Sequence, residues 1–100
     1  MPFNIIIVGS GIAGLAAAIA LASKGHHVTI LEATSHLRPI GGTIVLQANA
    51  NRVLDHLGVY QALLPYCSSI PNGPSTRDYR DGAFLAKVPA DKHQKEYGYP

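Results

Sequence analysis

Three glycines, Gly9, Gly11 and Gly14, stand between two apolar runs, the second of which ends in an acid, and this arrangement constrains the chain more than any other feature. Residues 3–32 read FNIIIVGSGIAGLAAAIALASKGHHVTILE. Phe3 to Val8 is short and rich in β-branched residues, the pattern of a strand buried on both faces of a parallel sheet. G-x-G-x-x-G follows where strand passes into helix. Gly9 lets the chain turn sharply, Gly11 lets a pyrophosphate approach the backbone, and Gly14 lets helix and strand pack closely. The spacing predicts a helix from about Ile12 to Lys24, stopped by Gly25, and a second strand over His27 to Glu32.

The first amides of such a helix lack intrahelical partners, and the macrodipole adds partial positive charge there. The turn at Gly11 to Leu15 therefore suits a diphosphate, with Gly11, Ile12, Ala13 and Gly14 as candidate binding residues and no lysine required. Glu32 lies 18 residues beyond Gly14 and 23 beyond Gly9. That is close to the roughly 20-residue offset at which an acid accepts a hydrogen bond from a ribose hydroxyl. A carboxylate there also repels a 2′-phosphate, which disfavours NADP. With ten glycines in the chain, three fixed ones match by chance about once per thousand windows. The flanking strand, the helix and the acid are separate requirements, and together they specify a βαβ nucleotide-binding unit. The competing reading of Ile5 to Ala22 as a signal peptide or anchor fails on the absence of a basic side chain in Met1 to Asn4 and on the interrupting glycines.

Composition narrows the function further. Hydrophobic residues make up 47% and charged ones 14% of the 100 residues, which describes a chain that needs a core. The net charge of +2 comes without a basic run, so neither nucleic acid nor an anionic membrane is implied. Cys67 has no second cysteine to pair with, which leads us to expect a cytoplasmic, reducing setting. His26, His27, His36, His56 and His93 show no ligand spacing, so no metal site is expected. No catalytic acid, base or nucleophile stands out, Ser10 being outside any G-x-S-x-G elbow.

Beyond the first unit, Ala33 to Ile40 reads as a loop. Gly41, Gly42 and Thr43 precede a short extended segment, Ile44 to Leu46, and serve either as a close approach to a ligand or as a simple turn. Asn49 or Asn51 is expected to cap a helix with Val53, Leu54 and Leu57 on one face, ended by Gly58. Arg52, in its first turn, reaches an anionic ligand or sits in solvent, and the residues alone favour solvent. Val59 to Tyr66 is a second helical piece, and Cys67 to Ser75 is a loop and a crossing point between domains. Arg77 to Arg80 and Ala83 to Lys87 are expected to form a hairpin around the Asp81-Gly82 turn. Pro89 to Pro100 reads as polar, and its end, Tyr97-Gly98-Tyr99-Pro100, carries no terminating logic.

Taken together, Gly9-x-Gly11-x-x-Gly14-Leu15-Ala16-Ala17-Ala18, Gly25-His26-x-Val28-Thr29-Ile30-Leu31-Glu32, Gly41-Gly42-Thr43-Ile44, Asn49-Ala50-x-Arg52-Val53-Leu54, Leu57-Gly58 and Tyr79-Arg80-Asp81-Gly82 resemble the N-terminal quarter of the aromatic-ring, FAD-dependent monooxygenases of the salicylate hydroxylase type. The resemblance implies an α/β fold: a Rossmann-like FAD-binding domain over residues 1–75, then, from 76 to 100, the start of a substrate domain opening with the hairpin. It implies that Gly9, Gly11, Ile12, Ala13 and Gly14 hold the FAD diphosphate and that Glu32 binds the adenosine ribose. Gly41, Gly42 and Thr43 would run beside the flavin, and Arg52 would support the cofactor site. The Gly42-Thr43 pair departs from the more usual Ala-Gly, which leaves the backbone less free to approach the ring. The implied reaction uses NAD(P)H to reduce the flavin and O2 to hydroxylate a small aromatic substrate. The 100 residues would be an incomplete fold, inactive alone. Two alternatives share the first unit: a non-catalytic module for ADP-ribose or NAD, and another FAD-dependent oxidoreductase.

Overall fold

The computed structural model describes residues 1–38, 42–68, 73–89 and 91–100. Two compact units make up the chain, Met1–Ile44 and Val45–Pro100.

In the first unit a strand β1 (Asn4–Val8), a helix α1 (Ile12–Ala22) and a strand β2 (His27–Leu31) follow one another as the sequence predicts. The strands pair in parallel, Asn4 opposite His27 and Val8 opposite Leu31. Ile5, Ile7, Val28 and Ile30 form the half-buried face of this two-stranded sheet. At Ile7 that face meets α1, where a Cβ added to Gly14 would come within 3.4 Å of Ile7 Cγ2. Small residues allow this approach, and Ala18 of α1 is buried. Apolar on both faces, β1 is covered on only one: Ile6 is 66% and Val8 84% exposed. The cause is that α1 is the sole helix of this unit among the described residues. The helix ends at Ala22, two residues before the predicted limit, and Gly25 turns the chain into β2 with a φ of 84°.

The second unit holds helices α2 (Ala48–His56) and α3 (Tyr60–Leu63), a 3-10 turn (Leu64–Tyr66), strands β3 (Ser75–Arg77) and β4 (Phe84–Lys87), and a helix α4 (Lys92–Tyr97). Gln47, and neither Asn49 nor Asn51, occupies the N-cap of α2, and it makes no side-chain capping bond. Asn49 accepts from the adjacent Ala50 N–H instead, at 2.9 Å. Asn51 lies inside the helix and is buried, its Nδ2 donating to Leu46 O at 3.3 Å and Pro100 O at 3.0 Å. Residues 44–46 form no strand. Tyr99 closes this corner, with its hydroxyl on Asp55 Oδ2 at 2.5 Å and its ring edge-on to Tyr60 at 5.5 Å. Asp55 holds the Tyr99 hydroxyl's pKa above its ordinary value.

β3 and β4 do form an antiparallel hairpin, but Asp78 to Ala83 is a six-residue loop and not a two-residue Asp-Gly turn. Asp78 draws the chain inward by accepting from Arg80 N–H at 2.9 Å and from its guanidinium at 3.1 and 2.8 Å. Asp81 accepts from Ala83 N–H at 2.9 Å, and Gly82 supplies the positive φ of 74°. These local side-chain bonds compete with the ladder and shorten both strands. The segment after Pro89, to which the sequence reading assigns no element, contains α4, supported by the Asp91–Lys95 ion pair and closed by Gly98 in the left-handed region.

Candidate functional site

The loop between β1 and α1 is built by the glycines in three different ways. Gly9 has a φ of 102°, a conformation that side chains other than glycine's rarely adopt, and its N–H donates to Leu31 O at 2.7 Å. Gly14 has no room for a side chain, because a Cβ there would overlap Gly9 O and lie 3.2 Å from Gly9 C. Gly11 is the N-cap of α1 in an ordinary extended conformation, and a Cβ on it would meet nothing within 4 Å. The three positions therefore turn the chain, press the helix onto the strand and leave an open shelf at the helix start. No side chain caps α1, and its first turn contains no acid. The bond from Leu15 N–H to Gly11 O, at 2.9 Å, starts the helical ladder, so the amides of Ile12, Ala13 and Gly14 precede it. Open space at Gly11 beside these amides fits a diphosphate.

Glu32 follows β2 and reaches back to the same loop. Its Oε2 accepts from Ser10 N–H at 2.8 Å and Ser10 Oγ–H at 2.7 Å. Its Oε1 accepts from the N–H and Oγ1–H of Thr34, both at 2.9 Å. The Ser10 amide foremost, then the Thr34 amide and the two hydroxyls, lower the carboxyl from its ordinary 4.5 to about 2. Glu32 is exposed yet fixed, and it stays ionised at all but strongly acidic pH. The sequence located Glu32 but not Ser10 or Thr34. A hydroxyl between the first two glycines and another two residues past the acid were the available signals, since Ser and Thr bond readily to nearby groups.

A folded-state pKa below the unfolded value means that the Glu32 contribution to stability is complete above about pH 4.5 and is lost as pH falls through about 2. Denaturant midpoints measured at about pH 5 and about pH 2.5 should therefore differ more for the wild-type chain than for Glu32→Gln. Equal differences would show that the tether between the loop and β2 does not form.

The remaining predicted residues are less closely assembled. Gly42 and Thr43 are exposed, and a Cβ on Gly42 would meet nothing within 4 Å. Gly41 lies outside the described residues. Arg52 belongs to the second unit and is exposed, lining an open cleft of about 320 Å³ with Gln47, Ala48, Asn49, His93 and Tyr97. Among the described residues no group of three His, Cys, Asp or Glu side chains could hold a metal ion. No helix among them is long and apolar enough to cross a membrane.

The sequence profile of the NAD(P)-binding Rossmann-like domain matches residues 7–60. The FAD-dependent monooxygenase ntnJ of Nectria sp is 42% identical to this chain over 95 residues, 94% of this chain and 22% of that protein. The 3-amino-4-hydroxybenzoate 2-monooxygenase of Streptomyces cremeus is 34% identical over 98 residues, 97% of this chain and 25% of its own length. The 3-hydroxybenzoate 6-hydroxylase 1 of Aquipseudomonas alcaligenes is 48% identical over 56 residues, 56% of this chain and 14% of that protein. The chain spans a quarter or less of the length of each of these three relatives.

Proposed function

This chain belongs to the NAD(P)-binding Rossmann-like domain family, and we propose that its βαβ unit binds the adenosine diphosphate half of FAD in a monooxygenase that hydroxylates a small aromatic compound with NAD(P)H and O2. The observation that carries this reading is the loop itself: Gly14 packed on Gly9 brings the uncapped start of α1 beside an open Gly11, with the ionised Glu32 tied to Ser10. Amides and dipole favour an anion at the helix start, and the carboxylate favours a hydroxyl donor. FAD supplies both and carries no 2′-phosphate. The choice of FAD over NAD follows the Nectria relative, which is named as an FAD-dependent monooxygenase, and the aromatic substrate follows the two named for hydroxybenzoates.

In this assignment the amides of Gly11, Ile12, Ala13 and Gly14 hold the diphosphate, Gly9 shapes the loop, and Glu32 accepts from the ribose. Gly41, Gly42 and Thr43 lie along the flavin, and Arg52 supports the cofactor site. Residues 1–75 belong to the FAD-binding domain, and the β3–β4 hairpin opens the substrate domain, so the working enzyme is larger than these 100 residues. The bound flavin would supply the electron transfer and oxygen chemistry, while the protein positions it and excludes water. The exposed free thiol of Cys67 accords with a cytoplasmic setting.

The full-length protein carrying this sequence should be yellow. Purification, denaturation and identification of the released cofactor test this directly. Release of a nicotinamide dinucleotide without flavin would reject FAD and favour a plain NAD module, and release of no nucleotide at all would reject the site.

A further inference from the structure

An ionised carboxylate offers about four lone-pair positions, and at Glu32 four donors already fill them: Ser10 N–H, Ser10 Oγ–H, Thr34 N–H and Thr34 Oγ1–H. A ribose hydroxyl that donates to this carboxylate must take the place of one of them. The amides can leave only if the backbone moves, and next to Ser10 the backbone of Gly9 is fixed by its bond to Leu31 and by the close approach of Gly14. The hydroxyls can leave by rotation about χ1. Because the site is exposed, a hydroxyl that turns away finds water as its new partner.

We propose that the Ser10 and Thr34 hydroxyls are placeholders for the ribose: they occupy the outer lone pairs of Glu32 until an adenosine ribose hydroxyl displaces one of them, and they set nucleotide affinity by competing with it. The proposal rests on the reading of Glu32 as the ribose acceptor. In it the four donors divide by role. The two amides orient the carboxylate and stay in the bound state, so binding requires no search by a mobile glutamate. The two hydroxyls are the exchangeable pair. Removing them should leave the carboxylate aimed as before and lower the cost of ribose binding, which is the reverse of what loss of an ordinary contact residue does.

The test compares ADP with 2′,3′-dideoxy ADP, which retains the base and diphosphate but lacks the exchanging hydroxyls. Calorimetric titration of the full-length protein carrying this sequence, freed of its bound nucleotide, measures the binding. Ser10→Ala/Thr34→Ala should bind ADP about two- to tenfold more tightly than wild type, the worth of one competing hydrogen bond, with dideoxy ADP unchanged. Ser10→Thr with Thr34→Ser keeps both hydroxyls and should behave as wild type. The Glu32 carboxyl pKa, followed by NMR in the alanine pair, should rise from about 2 yet stay below 4.5, reporting that the amides still hold it. Unchanged or weaker ADP binding in the alanine pair, with Glu32→Gln clearly weakened, would overturn the displacement idea alone. Glu32→Gln binding ADP as wild type does, or a wild type that does not distinguish ADP from dideoxy ADP, would remove the ribose reading and this proposal with it.

Discussion

Gly14→Ala should destabilise the first unit severely, even though helix propensity alone predicts the opposite. Replacing an interior helical glycine by alanine ordinarily stabilises by about 1 kcal/mol. Here the new methyl would be driven into the Gly9 carbonyl, a backbone atom that cannot rotate aside. Overpacking of this kind costs about 1–3 kcal/mol where flexible side chains can yield, so a clash with backbone belongs at or beyond the upper end and outweighs the propensity gain. Relief would require α1 to lift from β1, which would also separate the amides of Ile12 and Ala13 from the loop. Gly11→Ala is the matched control. Its methyl enters open space, so the chain should fold as wild type while ADP binding weakens, because the diphosphate and the methyl compete for the same shelf. Thermal melts by circular dichroism together with ADP titration separate the two. Gly14→Ala melting at or above the wild-type temperature would show that the helix does not pack on Gly9.

The second large effect is a complete absence of turnover. Given FAD, NAD(P)H and a panel of phenolic acids, the 100 residues expressed alone should release no hydroxylated product. Transfer of oxygen to an aromatic ring depends on keeping water from reactive intermediates. Glu32, Gly42 and Thr43 are all exposed, and among the described residues nothing lies within 4 Å of a Cβ built on Gly11. Among the described residues the β1–β2 sheet also has two strands, with Ile6 and Val8 on an uncovered face, an arrangement of marginal stability and a template for association. Product formed in step with NAD(P)H consumption would show that these residues suffice, and would refute the reading of the site as one part of a larger enzyme.

The features legible in the sequence are those whose causes are local. Periodicity, a β-branched run and glycine spacing located β1, α1 and β2 within two residues, since each is determined by neighbours in the chain. The same reasoning missed what depends on distant partners. Asn51 was expected as a possible cap because asparagine favours helix starts, but a carbonyl 49 residues away, at Pro100, holds it inside the helix. The hairpin was recognised while its turn was misjudged, because the Asp78 and Asp81 carboxylates bond their own loop and lengthen it. α4 was missed although its signals were present: Asp91 and Lys95 one turn apart, then Gly98. At the candidate site, the offset of Glu32 from the glycines could be counted, but the occupancy of its lone pairs could not, because that depends on the loop and β2 meeting in space.

The Tyr60–Tyr99 pair and its Asp55 partner have an optical consequence. The chain has no tryptophan, and all five tyrosines, Tyr60, Tyr66, Tyr79, Tyr97 and Tyr99, fall in the Val45–Pro100 unit. Tyrosine emission and the tyrosine band of the near-ultraviolet dichroism therefore report that unit alone, and the βαβ unit adds only the weaker, shorter-wavelength bands of Phe3. Any change in those signals on adding a nucleotide would have to originate outside the glycine loop, and the loop itself is visible only through the absorbance of what it holds.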